Sequence, residues 1–206
     1  MKLLSTIDIF KDIGLLILLF AEGLISYFYY QMVLLINMVS LYIFHWQLVY
    51  LSITIAIAVT VNFIIVLFTR RYFMSSAIDI YFLFVTGCCI IVLSQSLLFL
   101  TIALELNNYF WLQFTLMLLV QSFLMYNACG SLAYMRWLLL RISPSQSASI
   151  VESNRYLVAK VCGFFAFLTA GFIFKSIIVV LPLYNFLYYI LILILVINRH
   201  KILQRC

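Results

Sequence analysis

Long apolar runs broken by short polar clusters dominate this chain. Taking charges and polar clusters as breaks leaves six runs, at approximately 13–37, 47–69, 78–104, 109–135, 156–174 and 177–198. A helix needs about 20 apolar residues to cross a bilayer, and each run is about that long or longer. The runs are continuous, whereas the strands of a membrane barrel alternate over about ten residues. The pattern predicts an all-α, polytopic membrane protein, with about six transmembrane helices in one domain over residues 1–206.

The basic residues then orient the spans. Lys2 and Lys11 precede the first. Arg70 and Arg71 lie between the second and third. Arg136, Arg141, Arg155 and Lys160 bracket the gap between the fourth and fifth, and Arg199, Lys201 and Arg205 follow the sixth. The other connections are nearly bare: "VSLYIFHWQ" has no Lys or Arg, "ELNN" carries Glu105, and the last holds Lys175. Alternate loops are basic, which by the positive-inside rule places both termini in the cytoplasm. Tyr42, His45, Trp46, Tyr109 and Trp111 fall at the opposite interface, as an aromatic belt would. Asp8, Lys11 and Asp12 interrupt the first residues, so the first run reads as a retained span rather than a signal peptide.

The stretch "RISPSQSASIVESNRYLVAKVCGFF", residues 141–165, is the one extended polar segment. It reads as the main cytoplasmic loop. Ser143 precedes Pro144 and so should end the helix before it. Ser149 with Glu152 fits a capping box that starts the fifth helix in water. Glu152 and Arg155 stand three apart, where they can pair, and Lys160 can snorkel back to the surface. Asp79, near Arg70 and Arg71, is expected to form a local ion pair. Ala159, Gly163, Ala166 and Ala170 make a small-residue stripe that lets a neighbouring helix approach closely. That neighbour can belong to this chain or to another.

Composition agrees. The chain is 67% hydrophobic and 9% charged, against about 25% charged for soluble domains, so lipid is its solvent. Its net charge of +6 is accounted for by topology and needs no nucleic acid. His45 and His200 are expected on opposite sides of the membrane. The spans assemble no Ser–His pair, metal cluster, paired carboxylates or phosphate-binding glycine loop, so neither an enzyme nor a cofactor or metal is expected. The five cysteines have no metal-ligand spacing and read as small packing residues.

Within the spans, polar side chains are the candidates for function. Glu22 stands in a long apolar run with no cation nearby in sequence, and a carboxyl buried in that way tends to hold its proton. It reads either as a proton-coupling group or as a hydrogen-bonded tie between helices. Gln31, Asn62, Gln95 and Asn127 each lie in one of the first four spans. Each amide needs partners in lipid; they either line a common polar path or make separate interhelical hydrogen bonds.

Six spans with both ends inside, and with the principal cytoplasmic turns after spans two and four, resemble the C-terminal half of a major facilitator superfamily transporter. The segment "LLILLFAEGLISYFYYQM" at 15–32 resembles the seventh helix of lysosomal-type members, where small and polar residues follow an acidic one. "SPSQSASIVESNRYLVAKVCGFFAFLTAGF" at 143–172 is similar to their tenth-to-eleventh helix turn, and its "NRYLVAKVCGFFAF" portion resembles the folate and thiamine carriers. The loop "TRRYFMSSAID" keeps the basic pair but lacks the family's glycine and acidic residue. The resemblance implies a secondary transporter for a small solute, with Glu22 as proton-linked group and Gln31, Asn62, Gln95 and Asn127 along the path. Arg70, Arg71, Asp79, Arg136, Glu152, Arg155 and Lys160 would form the cytoplasmic gate. It also implies an endomembrane location, lysosomal in those members. The two halves of such transporters rock about a site between them, so the resemblance implies a homodimer or a hetero-partner membrane chain. The alternative is a non-transporting structural or assembly subunit of a membrane complex, with the same polar residues serving as helix-to-helix ties.

Overall fold

The computed structural model describes residues 13–73, 76–104, 109–143 and 148–203, without the side chains of Arg70, Tyr72, Phe73, Ala77, Cys129 and Ile142. Lys2, Asp8, Lys11, Asp12, Glu105, Arg205 and Cys206 lie outside the described residues. Those described are helical almost throughout. Helix α1, Ile13–Met38, continues as a π turn over Val39–Ile43. Helices α2, Leu48–Phe73, and α3, Ala77–Ala103, follow. Helix α4, Phe110–Tyr126, runs through a π turn at Asn127–Ser131 into α5, Leu132–Ile142, as one rod. Helices α6, Ala148–Lys175, α7, Ile177–Ile197, and the short α8, Arg199–Leu203, complete the chain. Five helices are long and apolar enough to cross a membrane, and Phe110–Tyr126 is a shorter apolar one. The fold is that of an all-α polytopic membrane protein. The fourth run is divided because the π turn breaks its helix; α4, turn and α5 still follow one another without a gap.

Side-chain contacts fix the direction of each helix. Glu22 meets Arg155 and Gln31 meets Ala166, so α1 and α6 run parallel. Tyr50 packs on Phe110 and Asn62 bonds to Ser122, so α2 and α4 are parallel too. Ser94 bonds to Val120 while Gly87 lies against Ser131, which makes α3 antiparallel to the α4–α5 rod. Tyr81 bonds to Leu195 and Asn185 to Ser96, so α3 and α7 are antiparallel. Residues 44–47 reverse the chain between α1 and α2, with His45 in the left-handed region at φ 54°. The six rods therefore alternate. Among the described residues, every Lys and Arg except Lys175 falls toward the end where α1 begins and α7 finishes, the arrangement the positive-inside rule assigns to the cytoplasmic face.

The apolar core comes in two parts. One, near the basic end, joins Leu18, Ile25, Phe28, Phe84, Ile91 and Tyr188. The other, near the opposite end, joins Met32, Leu35, Leu98, Met117, Val120 and Leu181. Gln31 on α1 and Ser94 and Gln95 on α3 stand where one part gives way to the other. At the far end Tyr42, Tyr109 and Trp111 are exposed, as a belt requires, but Trp46 is buried and its indole Nε1 donates to Gln113 Oε1 at 2.7 Å. A lone N–H in an apolar core must find an acceptor, and Gln113 supplies it.

The polar stretch is more helical than its composition implies. Ser143, with ψ 138°, ends α5 one residue ahead of Pro144, as the proline's ring demands. Helix α6 already includes Ala148, however, so Ser149 is not a cap. Its carbonyl accepts from Ser153 Oγ at 2.9 Å, and the expected capping box at Ser149 and Glu152 is absent. The capping box that does form is at α3. Ser76 Oγ accepts the Asp79 N–H at 3.2 Å, and Asp79 Oδ2 accepts the Ser76 N–H at 3.0 Å.

Candidate functional site

Three places in the bundle concentrate polar chemistry. The first is a chain of charges at the basic end. Arg155 Nη1 meets Glu22 Oε1 at 2.7 Å, and its Nε and Nη2 grip the Glu152 carboxylate at 3.0 and 2.9 Å. Arg136 Nε reaches the same Glu152 at 3.1 Å. The clasp joins α1, α5 and α6. Helical spacing explains it: Glu152 and Arg155 share a face three residues apart, and the planar guanidinium can serve two carboxylates. Glu22, 1% exposed, is therefore not the isolated carboxylate that its neighbours in sequence imply. Its cation arrives from a helix far along the chain, so the expectation that no cation stands beside Glu22 is corrected. The two acids and two bases of the clasp cancel in charge.

The other gate candidates are elsewhere. Lys160 is exposed, with Nζ 5.2 Å from the ring centre of Tyr156, one turn back toward the basic end. Asp79 serves the capping box. Arg71 lies in the last turn of α2, and the side chain of Arg70 is outside the described residues. A cleft of about 550 Å³ between α1, α6 and α7 is lined by Leu16, Phe20, Leu157, Val158 and Ile194, with Asn154 its one polar lining residue.

The second place is the α1–α6 seam. Gly163, Ala166 and Ala170 are buried there, and Ala159 is half-buried. A Cβ on Gly163 would lie 2.8 Å from the Tyr30 ring, so any larger residue would have to displace that ring. The small-residue stripe is thus occupied by this chain's own α1, and is not a face left open for a second bundle. Gln31 Nε2 donates to Ala166 O at 2.6 Å and to Thr169 Oγ1 at 2.5 Å, and Tyr27 shares a hydrogen bond with Thr169 at 3.0 Å. Asn62 does the same on the α2–α4 seam, donating to Ala58 O and to Ser122 O at 2.8 and 2.7 Å. Both amides work as stitches.

The third place is the α3–α4 seam. Gln95 and Asn127 are 0% exposed, yet neither amide has a hydrogen-bond partner among the described residues. The same holds for Gln121, 2% exposed, and for Ser131 Oγ. Gln121, missing from the sequence candidates, carries the same signal as they do, an amide inside an apolar run. Each buried polar atom left unpaired costs about 1–3 kcal/mol. Together these atoms rival the whole net stability of a domain, about 5–15 kcal/mol. Of the four amides, read either as a common path or as separate interhelical bonds, Gln31 and Asn62 are engaged at separate seams, and Gln95 on α3 and Asn127 in the π turn are buried without partners among the described residues.

Among the described residues, no group of three His, Cys, Asp or Glu is placed to hold a metal ion. Comparison with known proteins finds no match for this chain among family models, curated proteins or solved structures.

Proposed function

We propose that this chain is one half of a secondary transporter of the major-facilitator type, moving a small solute when joined to a second six-helix bundle, a copy of itself or another membrane chain. The pattern of its packing supports the reading. Count the α4–α5 rod as span four. Span one packs most extensively on span five, two on four, and three on four and six. Exchange each span with the one three places on. The pair one–five becomes four–two, and three–six returns to itself. Three–four becomes six–one, a far smaller contact made where Phe28 meets Tyr184 and Tyr188. Spans one and four run in opposite directions, so the one–five, two–four and three–six pairs are arranged as an inverted repeat would arrange them, the internal symmetry from which such transporter halves are built. Spans two and five, equivalent under the exchange, carry broad outward apolar faces, with Phe63, Leu67 and Phe68 on one and Phe164, Phe167 and Phe172 on the other. Those faces are where a second bundle would rest.

The test begins with gentle extraction from the native membrane, followed by the mass and membership of the assembly. A dimer, or a pair with another six-helix chain, that takes up solute in vesicles is the expected result. A lone chain, or a member of a large complex of unrelated proteins, without uptake in either case, would sink the proposal.

A second reading, a non-transporting structural or assembly subunit, is favoured by a specific observation: Glu22, Gln31 and Asn62 all find partners within the chain. Glu22→Gln separates the two. A gate clasp must open and close during transport, so the transporter reading expects the change to alter the pH dependence of uptake. The structural reading expects assembly and function to be unmoved.

A further inference from the structure

We propose that the seam between α3 and the α4–α5 rod binds a neutral hydrogen-bonding guest, ordered water or a small hydroxylated solute, through Gln95, Gln121, Asn127 and Ser131. The inference does not depend on whether the chain transports. It rests first on register. Ser94 Oγ donates to Val120 O at 3.0 Å, and Gly87 lies against Ser131. Counting from these fixed points along antiparallel helices sets Gln95 level with Gln121. Asn127 and Ser131 then follow along the same seam toward the basic end.

It rests next on satisfaction. All four side chains are buried to 2% exposure or less, and the oxygen and nitrogen of each amide, with Ser131 Oγ, have no protein partner among the described residues. Buried polar groups in folded proteins are paired with protein or with ordered water, and a polar site that offers several partners is where buried water is found. Asn62 and Gln31 are the comparison: the side-chain nitrogen of each donates to a backbone carbonyl on a neighbouring helix, and of Gln31 only Oε1 is left without a partner.

The chemistry selects the guest. Three carboxamides and a hydroxyl present donors and acceptors without charge. The formal charges lie toward the bundle ends or, like Glu22, are already paired. An ion here would lack a counter-charge in a medium that penalises it heavily; a neutral molecule able both to donate and to accept meets no such penalty. Asn127 and Ser131 also bound the π turn of the fourth rod, a departure from α geometry that recurs at functional positions in helices.

The experiment uses the full chain in phospholipid vesicles with Gln and Asn side chains labelled with ¹⁵N. Magic-angle-spinning NMR then follows magnetisation transferred from guest protons to the amide NH₂ groups, assigned through Gln95→Met, Gln121→Met and Asn127→Leu. Transfer to these three groups is expected to build up several-fold faster than to Gln31 and Asn62. A source at the water frequency identifies water; a source at carbinol frequencies identifies a co-purifying solute; either supports the proposal. No transfer to any of the three would overturn it. So would a rise in Tm for each apolar variant, the mark of dry, unpaired amides. A Tm lowered by Gln95→Met or Gln121→Met alone but restored in the double variant would also overturn it, because the two amides would then be bonded to each other.

Discussion

Helices α1 and α6 approach through Gly163 and the alanines beside it, and the amide on that seam, Gln31, ends on a backbone carbonyl of the facing helix. Helices α3 and α4–α5 also approach closely: a Cβ on Gly87 would fall within 2.8 Å of Ser131 Cβ. There, however, a hydroxyl makes the backbone bond, Ser94 to Val120 O, and the longer amides Gln95 and Gln121 are left without one. The two seams use the same residue types. The difference is whether an amide reaches a carbonyl of the facing helix or is buried without reaching one. A small-residue approach closes a helix pair by van der Waals contact in either case; only the register decides whether the polar side chain becomes a stitch or a binding group.

The contrast is most severely tested by removing the cation of the clasp. Arg155→Met leaves Glu22 buried and unpaired, and should destabilise by about 3–5 kcal/mol. Thermal unfolding in detergent would read this, with Glu22→Gln in the same chain recovering much of the loss. No loss in the single variant would mean that the clasp does not hold α1 to α6. Gly163→Leu comes next. It drives a branched side chain into Tyr30, and overpacking of this kind costs about 1–3 kcal/mol; a Tm equal to that of the parent would show that the seam is looser than the contacts imply. Gln31→Leu should cost about 0.6 kcal/mol and no more than about 1.7 kcal/mol, the mean and the maximum measured for interhelical hydrogen bonds in a membrane protein. A larger loss would make Gln31 more than a stitch. Lys160→Ala, on the exposed face of α6, should change stability by no more than about 0.5 kcal/mol, and a bigger effect would point to a partner on that face.

Much of the fold was legible because lipid leaves a chain little choice. Each apolar run must satisfy its own backbone, which in a bilayer means a helix, and the basic residues order the ends. Thus Lys2 to Arg205, read along the chain, gave the alternation that the α1–α6, α2–α4 and α3–α7 contacts display in space. Pro144 placed the end of α5 for the same local reason. Less was legible where the outcome depends on a partner remote in sequence. Ser149 and Glu152 match a capping pattern, but α6 starts before them and Glu152 is taken by Arg155 and Arg136. Trp46 looks like a belt residue until Gln113 is found to face it.

The sequence by itself determined that this is a helical membrane protein, where its helices begin and end to within a turn or two, and which side chains are costly enough in lipid to matter. These follow from hydrophobicity, backbone hydrogen bonding and charge, all of which are local. Only the tertiary structure decided that Glu22 is clasped by Arg155, that the Gly163 stripe belongs to α1, and that Gln31 and Asn62 are stitched while Gln95, Gln121 and Asn127 share a seam. Those outcomes depend on helix register, which is set by packing between residues 26 to 135 positions apart on different helices and leaves no mark in the spacing of either helix alone.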